Sequence, residues 1–157
     1  MGKTRLERKL WLNVLKAQRD LGLDVPDNVV YAYEEALDDI DLGLIEEIER
    51  RTKHDVKSKI EAFCLAAGGY EYIHLGMTSR DLTDNVEQIQ IQRAMKLILG
   101  KYVSVLRHLI EKADEYRGIE FTARTHHQAA QPTLLGRRFA MWAEELWVHL
   151  VEFDAFI

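Results

Sequence analysis

Proline and cysteine are scarce in this chain: Pro26, Pro132 and Cys64 are the only ones among 157 residues. A single cysteine excludes a disulfide framework and a thiolate metal cluster, and the reducing cytoplasm is its simplest setting. No apolar run approaches the roughly 18 residues that a membrane-spanning helix needs. The charged, amphipathic start MGKTRLERKLW lacks the apolar core of a signal peptide. Basic charge is also short, since 21 Lys and Arg against 26 Asp and Glu leave a net charge of −5. That argues against nucleic acid as a partner, while leaving room for a locally positive pocket that takes a small anion. Extended apolar/polar alternation is missing too, so no strand is expected, and there is no repeat or low-complexity tract.

What is present is helical periodicity, with 47% apolar residues to build a core. Leu6, Leu10, Val14, Ala17 and Leu21 recur at steps of three and four and predict a helix over about Arg5 to Leu21, stopped by Gly22. Pro26 opens a second helix through about Leu37, and a third covers about Asp41 to Arg51. Thr52-Lys53-His54-Asp55 has the form of a capping box, and the helix it starts ends at Gly68-Gly69. A second box, Thr78-Ser79-Arg80-Asp81, starts the longest periodic segment, which runs to about Arg117. There Ile91, Met95, Ile98, Tyr102, Val105 and Leu109 form one stripe, and Leu99, Val103, Leu106 and Ile110 form another beside it. So wide an apolar face suits a helix inside a bundle. A loop is expected from Ile119 to Gln131, and Pro132 is expected to start a last helix reaching Ile157 with no stop signal, as if truncated.

The expected fold is all-α. A small amino-terminal helical domain over 1–77 precedes the first long helices of a central bundle over 78–157.

Three places could carry chemistry, and each has a plain structural explanation beside it. At His54, capping by Thr52 and Asp55 would leave the histidine a bystander. Alternatively, the helix start, with its free N–H groups and partial positive charge, would draw an anion toward His54 and Lys53. Thr78 and Ser79 offer the same choice after Gly76, with His74 either a loop histidine or a contact. His126, in the loop before Pro132 and next to Thr125 and His127, is suited to proton transfer near neutral pH. The adjacent His pair raises the thought of a metal, but no HExxH pattern or acidic partner at ligand spacing accompanies it. His108 and His149 read as surface or satisfied histidines and Trp11, Trp142 and Trp147 as packing residues. Arg137-Arg138 reads as a solvated or intersubunit face.

Taken in order, KHDV (53–56), IHLGMTSRDLTDN (73–85), RTHHQAAQPT (124–133) and LLGRRFAMW (134–142) resemble the first part of the adenylosuccinate lyases of the fumarase/aspartase superfamily. The resemblance extends over nearly the whole chain. It implies β-elimination of fumarate from adenylosuccinate, giving AMP, and from the succinylated aminoimidazole carboxamide ribotide, in purine biosynthesis. It implies no cofactor, no metal and a homotetramer that builds each site from several subunits. By position, His126 would be the general acid that protonates the leaving nitrogen. Lys53, His54 and Asp55 would contact and orient the substrate, with His54 counted among the catalytic groups. Thr78 and Ser79 would hold a succinyl carboxylate, His74 would lie near the phosphate or assist His54, and Thr125 would line the site.

Three positions depart from the commoner pattern. Lys53 stands for Arg, which loses the planar fork, Gln131 for Glu, and His127 for Gly, which leaves two neighbouring candidates for the acid. The Gly-Ser-Ser loop expected to carry the serine base, and an Arg-Tyr pair expected near the phosphate, have no counterpart in these residues. The chain alone is therefore expected to be inactive and to self-associate through its apolar stripes. Two other readings remain: a carboxymuconate-cycloisomerase-like enzyme, which shares HDV and TS-type motifs, and a non-catalytic helical module. Argininosuccinate lyases fit less well, having Ser-Arg-Asn-Asp where this chain has Thr-Ser-Arg-Asp.

Overall fold

Most of the expected helices form, each where its start and stop residues place it. The computed structural model describes residues 2–156. Helix α1 spans Lys3–Asp20, α2 Asp27–Glu35 with a 3-10 turn at Ala36–Asp38, α3 Leu42–Thr52, α4 Asp55–Ala66 and α5 Ser79–Glu115. A hairpin of β1 (Glu120–Thr125) and β2 (Gln128–Leu134) follows, and α6 runs over Leu135–Asp154. The last helix thus ends before Ile157, which lies outside the described residues. The glycines end two helices as expected. Leu23 N–H reaches Gln18 O after α1, and Gly69 N–H reaches Cys64 O after α4. Gly22 and Gly68 sit between at positive φ (99° and 83°), a conformation that has no steric cost without a Cβ.

The chain divides into two units, Met1–Ile89 and Gln90–Ile157. In the first, Trp11, Leu15, Val29, Tyr33, Val56, Phe63 and Leu82 form one apolar core. The buried face of α1 differs from the stripe expected of it. Leu6, Trp11, Leu12 and Leu15 are buried, whereas Leu21 is 88% exposed. The periodicity misled because the buried face includes two charged residues, Glu7 and Arg8. Arg8 donates to the carbonyls of Ala36 and Asp39, the first residue of the 3-10 turn and the residue after it, and its guanidinium lies 4.5 Å from the Phe63 ring centroid. Glu7 accepts from Lys59 Nζ at 2.9 Å. Burial of these charges is tolerated because each has a partner.

In the second unit, Leu106 of α5 packs with Ala143 and Leu150 of α6, flanked by Leu99, Tyr102, Leu109 and Leu146. One line of α5 is thereby covered. Ile91, Ile98, Val103, Val105 and Ile110 remain 42–55% exposed. Trp142 and Trp147, expected as packing residues, are 51% and 54% exposed.

The stretch expected as a loop is a two-stranded antiparallel hairpin, and Pro132, expected to start α6, sits inside β2 opposite Thr122. A proline fits because both strands of a lone hairpin are edges, with donors to spare. The register slips between Thr122 and Arg124, a bulge that leaves one extra residue on β2. The hairpin base is tied to the helices by Leu135 N–H to Ile119 O (2.8 Å) and Gly136 N–H to Tyr116 O (3.0 Å).

Candidate functional site

Helices α3 and α4 meet at a corner of two residues. Lys53 closes α3 in the left-handed region, at φ 54°, with its N–H on Glu49 O, and His54 opens α4 from an extended conformation. The cap differs from the expected box. The acceptor is His54 itself, whose Nδ1 receives the Lys57 N–H at 3.2 Å, while Thr52 donates to the His54 carbonyl. Asp55 Oδ1 lies 3.7 Å from the same Nδ1, beyond hydrogen-bond range. Since a backbone N–H can only donate, Nδ1 carries the lone pair and the neutral ring keeps its proton on Nε2.

The second box forms as its spelling implies. Thr78 Oγ1 accepts from Arg80 N–H at 3.2 Å, and Asp81 Oδ2 accepts from Thr78 N–H at 2.7 Å. The hydroxyl hydrogen of Thr78 is left free to donate, and Ser79 stands beside it at the positive end of a 37-residue helix.

Just upstream, His74 sits half-buried at φ 65°. Its Nδ1 accepts from Trp11 Nε1–H at 3.0 Å, so His74 too carries its neutral proton on Nε2. Burial holds its pKa below the usual value, with Asp81 pulling it up and His54 pushing it down. His54, His74 and Asp81 all belong to the first unit. Neither Nε2 has a hydrogen-bond partner among the described residues. A cleft of about 580 Å³ borders His74 and is lined as well by Arg51, Lys57, Cys64 and Glu71. Cys64, buried against Tyr33, has its thiol pKa raised by burial.

The second unit holds Thr125 and His126. His126 and His127 are the two central residues of the hairpin turn, between the paired Thr125 and Gln128, and both have positive φ (47° and 63°). Such a two-residue turn normally selects Asn-Gly or Gly-Gly. Histidine adopts the left-handed region more readily than most side chains, but still at a cost. Both rings are exposed. Arg124 Nη1 donates to the His127 carbonyl at 3.2 Å, bracing the turn.

Among the described residues, the non-glycine positions with positive φ are Lys53, His74, His126 and His127. Three of the four are candidate site residues, and the fourth adjoins one. Strain of this kind concentrates at functional positions. Local sequence gave no sign of it, because no Gly or Asn marks these positions. Trp11, read from the sequence as a packing residue, is buried in the core and also donates its indole N–H to His74, 63 residues away.

A family model described as lyase matches residues 6–154. The chain is 37% identical over 153 residues to adenylosuccinate lyase of Saccharomyces cerevisiae, covering 94% of this chain and 31% of the relative. It is 34% identical over 149 residues to adenylosuccinate lyase of Schistosoma mansoni, with 94% and 31% covered. With adenylosuccinate lyase of Methanocaldococcus jannaschii it shares 35% over 154 residues, with 94% and 33% covered. The chain therefore spans about a third of the length of the curated relatives it matches. Among solved structures it is similar to a fumarate lyase from Mesorhizobium sp. BNC1, with TM-score 0.86 and 22% identity over 98% of this chain and 37% of that one. It is similar also to 3-carboxy-cis,cis-muconate lactonizing enzyme from Pseudomonas putida, with TM-score 0.85 and 23% identity over 98% and 36%. At these identities the two structures speak to fold alone.

Proposed function

Because the chain belongs to the lyase family and has the helical fold of the fumarase/aspartase superfamily, we propose that the complete protein containing it is an adenylosuccinate lyase. The reaction is a β-elimination. A base takes a proton from the succinyl carbon next to the C–N bond, and the electron pair is held on the adjoining carboxylate as an aci-carboxylate. It then returns to form the C=C bond of fumarate as the C–N bond breaks. A general acid returns a proton to the leaving nitrogen, so one proton leaves carbon and one arrives at nitrogen. The succinylated aminoimidazole carboxamide ribotide is the second substrate of this reading.

The observation that carries the proposal is that His54 and His74 both have Nδ1 occupied by an N–H donor. Each can offer a ligand only an Nε2–H, which makes them anion-binding donors rather than bases. With Lys53 and the hydroxyls of Thr78 and Ser79, they suit a substrate bearing two carboxylates and a phosphate, and Asp55, an acceptor only, is left to orient it. His126, strained at the tip of the hairpin with Thr125 beside it, is the proposed acid. No residue of the first unit is assigned the base. That role goes to the serine of a Gly-Ser-Ser loop, a run that Met1 to Ile157 does not contain.

The bare apolar strip of α5, with Trp142 and Trp147 of α6 exposed, supports a homotetramer, since a face of this kind needs a partner. Among the described residues no helix is long and apolar enough to cross a membrane, and the lone Cys64 suits the cytoplasm. No cofactor enters this reading.

The test is to give the complete protein adenylosuccinate and measure AMP and fumarate together. They should appear in equal amounts, while the 157-residue chain alone should release none. Turnover of a carboxymuconate with adenylosuccinate left untouched would overturn the proposal in favour of a cycloisomerase.

A further inference from the structure

Trp11 is wholly buried in the core of the first unit, where a packing residue needs only its shape. Its one polar atom is nevertheless committed to a loop histidine far along the chain. The indole N–H donates to His74 Nδ1 at 3.0 Å, with the two rings edge-on at 85° and their centroids 5.9 Å apart. An indole nitrogen cannot accept, so this bond is compatible only with a lone pair on Nδ1 and a proton on Nε2. Two turns further along the same helix face, Gln18 Nε2 donates to the Leu75 carbonyl at 2.9 Å. Helix α1 thus grips both the ring of His74 and the backbone of the next residue. That grip holds a non-glycine residue at φ 65° and leaves Nε2 without a partner among the described residues, on a side chain that lines the cleft.

We propose that Trp11 is a positioning residue for His74: its indole N–H fixes the tautomer and orientation of the ring, so that Nε2–H is presented as a donor to an anionic group of the substrate. That His74 meets substrate rests on the function proposed above. The lock on the tautomer does not.

The experiment labels histidine alone with ¹⁵N and follows the two ring nitrogens of His74 by NMR, assigned by their loss in His74→Gln. In the parent, Nδ1 should show a lone-pair shift and Nε2 a protonated one throughout the neutral range. Trp11 is then replaced by 3-benzothienylalanine, which puts sulfur where the N–H was and keeps the bicyclic shape. Trp11→Phe serves as the encoded variant, and the isostere covers the case in which that variant fails to fold. With the donor gone, protonating Nδ1 no longer breaks a bond. The His74 shifts should move toward a mixture of tautomers and its titration midpoint should rise. The other influences, burial, Asp81 and His54, stay as they are.

In the complete protein the same replacement should raise KM about three- to tenfold, the worth of one hydrogen bond, with kcat changed less. Unchanged His74 shifts in the isostere would overturn the proposal, because packing alone would then explain Trp11. Moved shifts with an unchanged KM would overturn it as well, by removing the link to substrate. Failure of the function itself would look different, since the parent protein would then leave adenylosuccinate unconverted whatever stands at position 11.

Discussion

Substituting His126 and His127 one at a time by asparagine separates the acid from the turn that carries it. Both residues lie at positive φ, so the usual change to alanine would confound two effects. Alanine in the left-handed region is disfavoured by about 1–2 kcal/mol, and a collapsed hairpin would lose activity for reasons unrelated to proton transfer. Asparagine tolerates that region and is close to the isolated histidine ring in reach, but it has no titratable proton. Both rings are exposed and neither packs in a core, so His126→Asn and His127→Asn should unfold in urea within about 0.5 kcal/mol of the parent. Removing a general acid costs roughly 10²–10⁴ in rate, or about 3–5 kcal/mol at 1.36 kcal/mol per factor of ten. In the complete protein, fumarate release should therefore fall by that factor for His126→Asn, with KM little changed. His127→Asn should stay within about threefold. The reverse pattern would transfer the acid to His127. Full activity in both variants would refute any acid at the hairpin tip.

Three further outcomes follow from the packing. A Cβ at Gly136 would lie 2.7 Å from both N and Cα of Arg117, backbone atoms that cannot rotate away. Gly136→Ala should therefore destabilise by about 2–4 kcal/mol, from overpacking and the loss of the hydrogen bonds at the hairpin base; chemical denaturation within about 0.5 kcal/mol of the parent would show that the contact yields easily. Lys59→Met strands the Glu7 carboxylate, which is fully buried, and should cost about 3–5 kcal/mol, whereas the double change Glu7→Leu with Lys59→Met should recover most of it. A double variant no more stable than Lys59→Met would deny that the loss comes from an unpaired buried charge. His74 has its folded pKa depressed below the usual 6.5, so the unfolded chain binds its proton first as pH falls. Its contribution to stability is complete above about pH 6.5 and is lost as pH drops through the depressed value. Unfolding measured between pH 7.5 and 5 should show a shallower decline in His74→Gln than in the parent, and identical slopes would contradict the shift.

The sequence by itself determined the first five helices and, to within a few residues, their ends, because caps and stops act over three or four residues. Thr78 with Asp81 closed its box as spelled, and Gly22 and Gly68 ended their helices in the one backbone region that favours glycine. The motifs around His54, His74, Thr78 and His126 were legible for the same reason, as short runs of residue types suited to anions and protons. Tertiary structure decided what those residues can do. The N–H that makes His74 a donor comes from Trp11, and no local pattern shows a pairing across 63 residues. The buried face of α1 escaped the periodicity because Glu7 and Arg8 look like surface residues until Lys59 and the Ala36 and Asp39 carbonyls meet them. The hairpin escaped it because His-His lacks the usual turn signal and Pro132 reads as a helix start. Pairing between β1 and β2, with backbone bonds holding Leu135 and Gly136, outweighed that local preference and put His126 at a turn where a loop had been expected.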